Sequence, residues 1–390
     1  MRSYLKSHPW LTFEATDINS LDPRVWMLLG EARSKCEHLA GTPLQPDVAR
    51  RFYEVALIKG AQATTAIEGN TLTEEQVAGI LRGTFKAPPS RAYQEREVKN
   101  VLGALTAIAN EIVEGDFPTI TSELIFEFNQ QVLEGTEYET HVVPGQIRDY
   151  SVGVPAYQGV PAEDCSYLLH RLAEWLESDV FRSGDTEIRF ALAVACAVYA
   201  HLYLAWLHPF GDGNGRTARL LEFLILARCG MMPLPTAHLL SNHYNLTRDQ
   251  YYREMAKAGR NSDTGGFLGY AIQGLVDGVR EQLDQVQRQH VDVTWVNFVY
   301  ETMNRFPSSP ARDRQRSLVL AMPTGVDIPK KEVPELSPRL AALYATKGPR
   351  TLSRDLNRLR SVKLVTKRPK GWRANIRIIR AFLPPMADAD

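Results

Sequence analysis

The chain has 390 residues, 44% of them apolar, with 45 basic and 45 acidic side chains and hence no formal net charge. That length accommodates two or three domains and a large buried core. It excludes a short disulfide-stapled scaffold, because the four cysteines (Cys36, Cys165, Cys196 and Cys229) lie far apart with no CxxC pair, a pattern of reduced thiols rather than zinc ligands.

The opening stretch MRSYLKSHPWLTFEA has no continuous apolar run of the secretory kind, so the expected location is the cytoplasm, without a membrane partner. Most of the remaining chain reads as helix, and the expected fold class is mainly all-α. Residues 22–41 and 46–69 show apolar positions at three-to-four spacing and end on glycine, a helix stop. Thr73 and Gln76 open the next helix, 73–81, as a capping box. Further helices are expected over 90–114 and 121–134. Between 144 and 161, PGQIRDYSVGVPAYQGVP alternates β-branched or aromatic residues with others under Gly and Pro punctuation, which predicts a short hairpin standing on the helical body as a surface flap. Helices resume over 163–178, 186–207, 216–229, 248–259 and 264–289. The stretch 190–207 is apolar except for His201 and is marginally long enough to span a bilayer. Its abundant alanine and the lack of a flanking basic cluster favour a central buried helix instead.

After 290 the texture changes. A Pro/Ser break at 307–310 reads as a linker, followed by helices over 311–321, 332–345 and 351–361 and two short β-rich runs about the turn at 369–371. This segment resembles a winged helix: TLSRDLNRLRSV would be its recognition helix, with Ser353, Arg354, Asn357 and Arg358 on or near one polar face. Residues 311–380 carry 18 Lys/Arg against 5 Asp/Glu, which makes DNA a candidate partner through phosphate and major-groove contacts. A basic helical module that docks protein is the alternative.

The densest chemistry is HPFGDGNGRTAR at 208–219. Its glycines end a loop where a helix begins, and free backbone N–H groups at a helix start make an anion-binding nest. Arg216 and Arg219, three apart on the first turn, can direct both guanidinium forks at one anion. Asp212 offers an oxygen ligand for Mg²⁺, which takes one or two carboxylates plus nucleotide phosphates. His208 is then free to accept a proton from an incoming hydroxyl. These parts suit phosphoryl or nucleotidyl transfer by positioning and charge neutralisation, without a covalent intermediate. No Walker loop is present.

HPFGDGNGRTAR resembles the signature of the Fic family, HxFx[DE]GNGRxxR, at every defined position, and the likeness spans roughly 60–275. Fic proteins are helical and typically transfer AMP from ATP–Mg²⁺ to a Ser, Thr or Tyr hydroxyl of a target protein. By this resemblance His208 is the general base, Phe210 anchors the loop and Asp212 holds Mg²⁺. Gly211, Gly213, Asn214 and Gly215 shape the phosphate cradle, Arg216 grips the β-phosphate and Arg219 meets the γ-phosphate. Ile147, Tyr150 and Val152 fall on the flap that docks the target backbone, and Tyr252 lines the adenine pocket; an asparagine found downstream in some relatives is Gly259 here. The resemblance divides the chain into an N-terminal helical region (1–115), a catalytic core (116–290), a connecting helix and linker (291–310) and the winged-helix-like segment (311–385).

Upstream, Glu68 in TTAIEGNTLT is expected in the last turn of its helix, where a carboxylate faces the negative end of the macrodipole at a cost of about 0.3–1 kcal/mol. A cation would offset that. The stretch also resembles the Fic inhibitory motif [ST]xxxE[GN] through Thr64, Glu68 and Gly69, which implies that Glu68 pairs with Arg219 and keeps the γ-phosphate from its productive seat. The expected activity is therefore an auto-inhibited protein adenylyltransferase acting on target proteins and on itself. Removal of AMP, other phospho-transfers, and a DNA-binding regulator that uses the helical body as a nucleotide sensor remain alternatives. ATP, a target protein and a second copy of the chain complete the expected partners.

Overall fold

The computed structural model describes residues 2–15, 21–154, 157–261 and 263–380. The chain separates into two compact units, Met1–Leu283 and Asp284–Asp390.

The first unit is a helical array, in keeping with the expected fold class: α1 (Tyr4–Ser7), α2 (Pro23–Gly41), α3 (Pro46–Ala66), α4 (Glu74–Leu81), α5 (Ala92–Glu114) and α6 (Ser122–Leu133) come before the hairpin. After it come α7 (Ala162–Leu176), α8 (Thr186–Leu207), α9 (Asn214–Arg228), α10 (Leu239–Leu246), α11 (Arg248–Asn261) and the beginning of α12 (Thr264–Asn304). Local chemistry sets the starts. The Asp22 side chain accepts from the Arg24 N–H ahead of Pro23, Thr73 and Gln76 form the capping box read from the sequence, and the Asp185 carboxylate accepts from the Glu187 and Ile188 N–H groups.

At the centre lies α8. It is the one described helix long and apolar enough to cross a membrane, and 94% of that window is buried inside the fold, as a core helix must be. Tyr199, Tyr203 and Trp206 are each 1% exposed, and Trp175 from α7 packs on Tyr203 at 4.8 Å between ring centroids. Burying side chains of this size contributes roughly 1.5–3 kcal/mol apiece before ordering costs.

Strands β1 (Gly153–Val154) and β2 (Tyr157–Gln158) pair antiparallel with Gly153 opposite Gln158. The hairpin is thus shorter than the 144–161 stretch suggests. The remainder is an irregular loop tied to the helices of the first unit through Asn129 and Arg148.

In the second unit, α13 (Pro310–Ala321), α14 (Pro338–Ala345) and α15 (Pro349–Ser361) are followed by strands β3 (Val365–Arg368) and β4 (Gly371–Ala374), paired antiparallel. Ile328 forms an isolated antiparallel bridge to Trp372. Leu318, Val333, Leu340, Leu356, Leu359 and Leu364 are fully buried at the centre of this second core.

Beyond shifts of one or two residues at helix ends, the main differences from the sequence reading are these. The helix expected to stop at 289 continues to Asn304, because no Gly or Pro falls between 290 and Pro307. The helix expected over 332–345 is broken: a 3₁₀ segment, Lys330–Leu336, carries Pro334, and α14 starts only after the Ser337 cap, since prolines remove the N–H donors a continuous helix needs. Helix α10 escaped notice, its polar Ser, Asn and His residues hiding the apolar face formed by Leu240 and Tyr244. Finally, α3 ends at Ala66, so Glu68 stands in the turn just beyond the last helical turn.

Candidate active site

Helix α8 ends at Leu207, and its cap is His208 in left-handed backbone with φ 46°. A non-glycine residue there costs roughly 1–3 kcal/mol unless its surroundings impose it. Here they do. The His208 N–H donates to the Leu204 carbonyl at 3.0 Å, the Arg148 N–H donates to the Pro209 carbonyl at 3.0 Å, and Arg148 Nε donates to the His208 carbonyl at 2.8 Å. Arg148 is 4% exposed, and its other nitrogens donate to the Tyr150 and Val160 carbonyls at 2.5 and 2.6 Å. One buried guanidinium therefore staples the flap loop to the backbone that presents the histidine. The sequence reading passes over it, although an arginine between two flap residues is the available signal.

From His208 the chain turns inward. Phe210 is 1% exposed, sits edge-on to Phe126 at 6.1 Å and forms a β-bridge with Ile147, so the anchoring role expected of it is what the packing provides. The Asn214 side chain accepts from the Phe210 N–H and donates to the Phe210 carbonyl, both at 2.9 Å. That amide is thus spent on the loop, and what Asn214 offers a phosphate is its backbone N–H. Asn129, also missed, donates to the Asp212 carbonyl and accepts from the Gly145 N–H, each at 2.9 Å. Gly213 has φ 77°, and a Cβ on it would stand 2.9 Å from Asn129 Nδ2; only glycine meets both demands.

Helix α9 then starts, with the Asn214, Gly215 and Arg216 N–H groups at its open, positive end. The two arginines expected to share one anion point to different carboxylates. Arg216, 4% exposed, donates from Nη1 to Glu97 Oε1 at 3.0 Å and from Nη2 to Asp212 Oδ1 at 3.1 Å. Arg219, 1% exposed, donates from Nη2 to Glu68 Oε1 at 2.5 Å and to the Thr64 carbonyl at 2.8 Å. The pairing of Glu68 with Arg219 is therefore present in the chain, and Gly69 (φ 100°) closes the turn that delivers Glu68. Gly215 gives the carboxylate its room, because a Cβ there would run into Glu68 Oε1.

Burial pushes the His208 imidazole down to about 4; the Ala205 backbone, Glu68 and Asp212 oppose this and Arg148 reinforces it. The ring is neutral at pH 7 and able to take a proton. Burial raises the Glu68 carboxyl, but Arg219, helped by Arg216, outweighs it and holds the group below the usual carboxylate range. Beneath Arg219 lies a network that the sequence reading does not find. Burial lifts Glu222 to about 8, the Tyr244 hydroxyl donates to its Oε1 at 2.8 Å, and fully buried His201 shares a hydrogen bond with the Tyr251 hydroxyl at 2.9 Å. A carboxylate three residues after Arg219 in an apolar helix is the signal for it.

The other predicted residues fall around this centre. The Tyr150 hydroxyl stops against Gly211, where any Cβ would collide with it, and finds no partner among the described residues. The Val152 carbonyl accepts from the Gly159 N–H at 3.2 Å. Tyr252, on α11, is half-buried with its ring 5.0 Å from Tyr251. Gly259 lies close to Trp10 and Trp206, 3.5 and 3.6 Å from where a Cβ would be.

Asp212 is the loop's single carboxylate, its side chain 44% exposed. Among the described residues no group of three or more His, Cys, Asp or Glu side chains stands ready to hold a metal. One accessible carboxylate beside a phosphate-binding helix start fits Mg²⁺ arriving on a nucleotide, since that ion takes most of its remaining ligands from phosphates and water.

A neutral histidine, an open helix end and two buried arginines thus lie together at the start of α9. Residues 119–226 match the Fic/DOC family model. It is 29% identical over 243 residues to protein adenylyltransferase fic-1 of Caenorhabditis briggsae, covering 61% of this chain and 43% of the relative. It is 29% identical over 220 residues to protein adenylyltransferase Fic of Nematostella vectensis, covering 56% and 48%. The chain thus spans less than half the length of these relatives. Among solved structures, it resembles a Fic family protein from Desulfovibrio desulfuricans with TM-score 0.56 and 21% identity over 91% of this chain and 97% of that one. It also resembles residues 134–508 of Fic-1 from C. elegans, with TM-score 0.55 and 25% identity over 68% and 73%.

Proposed function

We propose that the chain is an auto-inhibited protein adenylyltransferase that moves AMP from ATP to a Ser, Thr or Tyr hydroxyl of a protein. The observation that carries this reading is the arrangement around α9: a neutral His208 at one end of the loop, an open helix terminus at the other, and Arg219 occupied by Glu68 at 2.5 Å. The adenylyltransferases among the relatives support AMP as the group transferred.

In the proposed reaction the hydroxyl oxygen bonds to the α-phosphorus, the bond from that phosphorus to the β-bridging oxygen breaks, and pyrophosphate leaves. The hydroxyl proton passes to the His208 imidazole. Backbone N–H groups of the Gly213–Gly215 turn receive phosphate oxygens, and Arg216 and Arg219 neutralise the β- and γ-phosphates once they leave Glu97 and Glu68. Asp212 would hold a Mg²⁺ that accompanied ATP, and the ion would supply neutralisation of phosphate charge. The flap edge from Ile147 through Tyr150 to Val152 docks an extended target segment by backbone pairing; Tyr252 borders the adenine.

Two labels test the chemistry. With a Glu68→Gly chain and a cell lysate, α-labelled ATP should leave radioactivity on protein while γ-labelled ATP leaves none. Incorporation of the γ-label would assign phosphate transfer instead, and failure of both labels would overturn the reading.

A further inference from the structure

We propose that the second unit is a winged helix–turn–helix that docks duplex DNA, with α15 in the major groove and the β3–β4 turn on the phosphate backbone. The element order supports it: α13, the bridging residue Ile328, α14, α15, then the hairpin whose Trp372 pairs with Ile328. Helices α14 and α15 are separated only by Thr346–Gly348, the short glycine-containing turn of helix–turn–helix motifs.

The surface chemistry carries the argument further. Along α15, Leu352, Asp355, Leu356 and Leu359 are buried. Asp355 is the helix's single acid, and it is 3% exposed and fully engaged: Arg314 Nε, Gln315 Nε2 and the Tyr344 hydroxyl each donate to it at 2.8 Å. The acid thereby ties α13, α14 and α15 together and is withdrawn from the surface. Opposite the core, Arg350, Arg354, Asn357 and Ser361 recur at i, i+4, i+7 and i+11, all exposed. Arginine and asparagine are the side chains that pair bidentately with guanine and adenine edges, and an α-helix fits the major groove. At the hairpin tip, Lys367 and Lys370 are exposed and Arg368 is half-exposed. Of the four side chains assigned to the reading face from the sequence, Arg354 and Asn357 lie on this stripe. The Arg358 guanidinium instead stacks on Phe306 at 4.3 Å, and Ser353 Oγ donates to the Pro349 carbonyl at 3.4 Å.

Other anionic partners fit less well. A membrane-surface helix needs an apolar face to insert, and the outward stripe of α15 has none. Single-stranded nucleic acid needs exposed aromatic platforms, whereas Trp372 and Tyr344 beside α15 are each 7% exposed and the exposed Tyr300 ring is covered by Arg316 at 4.7 Å.

The test uses the full chain and a fluorescein-labelled duplex of mixed sequence, read by anisotropy. About five phosphate contacts give a log–log salt slope near −4.5, so affinity should fall roughly 10²–10³-fold between 50 and 200 mM salt. Lys367→Ala/Lys370→Ala should reduce that slope by about 2. Arg350→Ala/Arg354→Ala should weaken binding at least about tenfold and abolish preference among duplex sequences, each lost bidentate pair being worth about 1–3 kcal/mol. These are exposed positions where alanine favours or tolerates the fold, and AMP transfer in a Glu68→Gly background should be unchanged by either pair. The proposal is overturned by lack of duplex binding at 50 mM salt, by wild-type affinity and slope in both double variants, or by tighter binding of phosphatidylserine vesicles or single-stranded RNA. Because the readout is binding without ATP, it stands or falls separately from the transfer activity.

Discussion

On the proposed reading, replacing Glu68 with glycine should speed AMP transfer and weaken the fold. Arg219 is 1% exposed on its side chain, whereas Glu68 is 34% exposed. Breaking a buried ion pair by removing one partner costs about 3–5 kcal/mol, and the solvent reaching Glu68 discounts this to about 1–3 kcal/mol. The variant without nucleotide should therefore unfold at lower denaturant. The same energy measures how much of Arg219's attraction for a γ-phosphate the glutamate now absorbs. At 1.4 kcal/mol per tenfold, a coupling of 1–3 kcal/mol corresponds to about 5–150-fold, and better alignment of the α-phosphate acts in the same direction.

The assay is α-labelled AMP incorporation at matched ATP by wild type, Glu68→Gly, Arg219→Ala and the double variant, with a denaturant melt of each. Activity should rise in Glu68→Gly and fall back in the double variant, because the released arginine is then absent. Equal rates for wild type and Glu68→Gly, or an Arg219→Ala variant as active as Glu68→Gly, would refute the brake. A simple surface glutamate would move neither number.

The geometry leads to three more expected outcomes. His208→Ala should lower transfer by about 10²–10⁴-fold while ATP affinity, measured calorimetrically, stays near wild type, since the imidazole acts on the attacking hydroxyl and the helix end holds the nucleotide. With His208 held at about 4, the imidazole is deprotonated above that value. The rate of Glu68→Gly should thus stay level as pH falls from 8 to 6 and decline only toward 4–5; an acid limb near 6.5 would contradict the burial of the ring. Arg148→Lys should cut kcat and shift that acid limb, because a lysine cannot bond the His208, Tyr150 and Val160 carbonyls together; an unchanged pH profile with reduced stability alone would reduce Arg148 to a structural part.

The loop at 208–219 is legible in the sequence because its chemistry is local: histidine, carboxylate, glycines and arginines fall within twelve consecutive residues. The helical frame is legible for a similar reason, since caps such as Thr73–Gln76 and the apolar run of α8 announce themselves in short windows. What stays hidden depends on distant residues. Nothing near Arg148 says that its side chain will reach carbonyls 2, 12 and 60 positions away. Glu97, 119 residues before Arg216, looks like any surface glutamate on α5. Asn214 illustrates the opposite failure, because a motif position suggests a phosphate ligand while the fold spends its amide on Phe210. Asp355 does likewise in the second unit: inside a basic helix it reads as one more surface charge, yet it is the buried hub of three helices.

Of the three carboxylates that engage the motif arginines, Asp212 lies in the loop itself, while Glu68 and Glu97 come from outside residues 119–226, the segment matched by the family model. The latter two are also joined. Asn70, two residues after Glu68, donates to Glu97 Oε2 at 2.9 Å and to the Gln94 carbonyl at 3.0 Å, and its own side-chain carbonyl accepts from the Leu72 N–H. The turn that carries Glu68 is thus anchored to the helix that carries Glu97. On the proposed reading, the exposures determine how the Glu68–Arg219 pair would open. Glu68 regains water when it leaves, but leaving Arg219 buried without an anion is costly, so release is favoured when a phosphate arrives as the carboxylate departs. Protonation is no substitute: the Glu68 carboxyl lies below its ordinary range, so the ion pair is intact at neutral pH and is lost only as pH falls through that lowered value. Opening at neutral pH therefore depends on competition by nucleotide, or on a movement of α3 that carries Glu68 away.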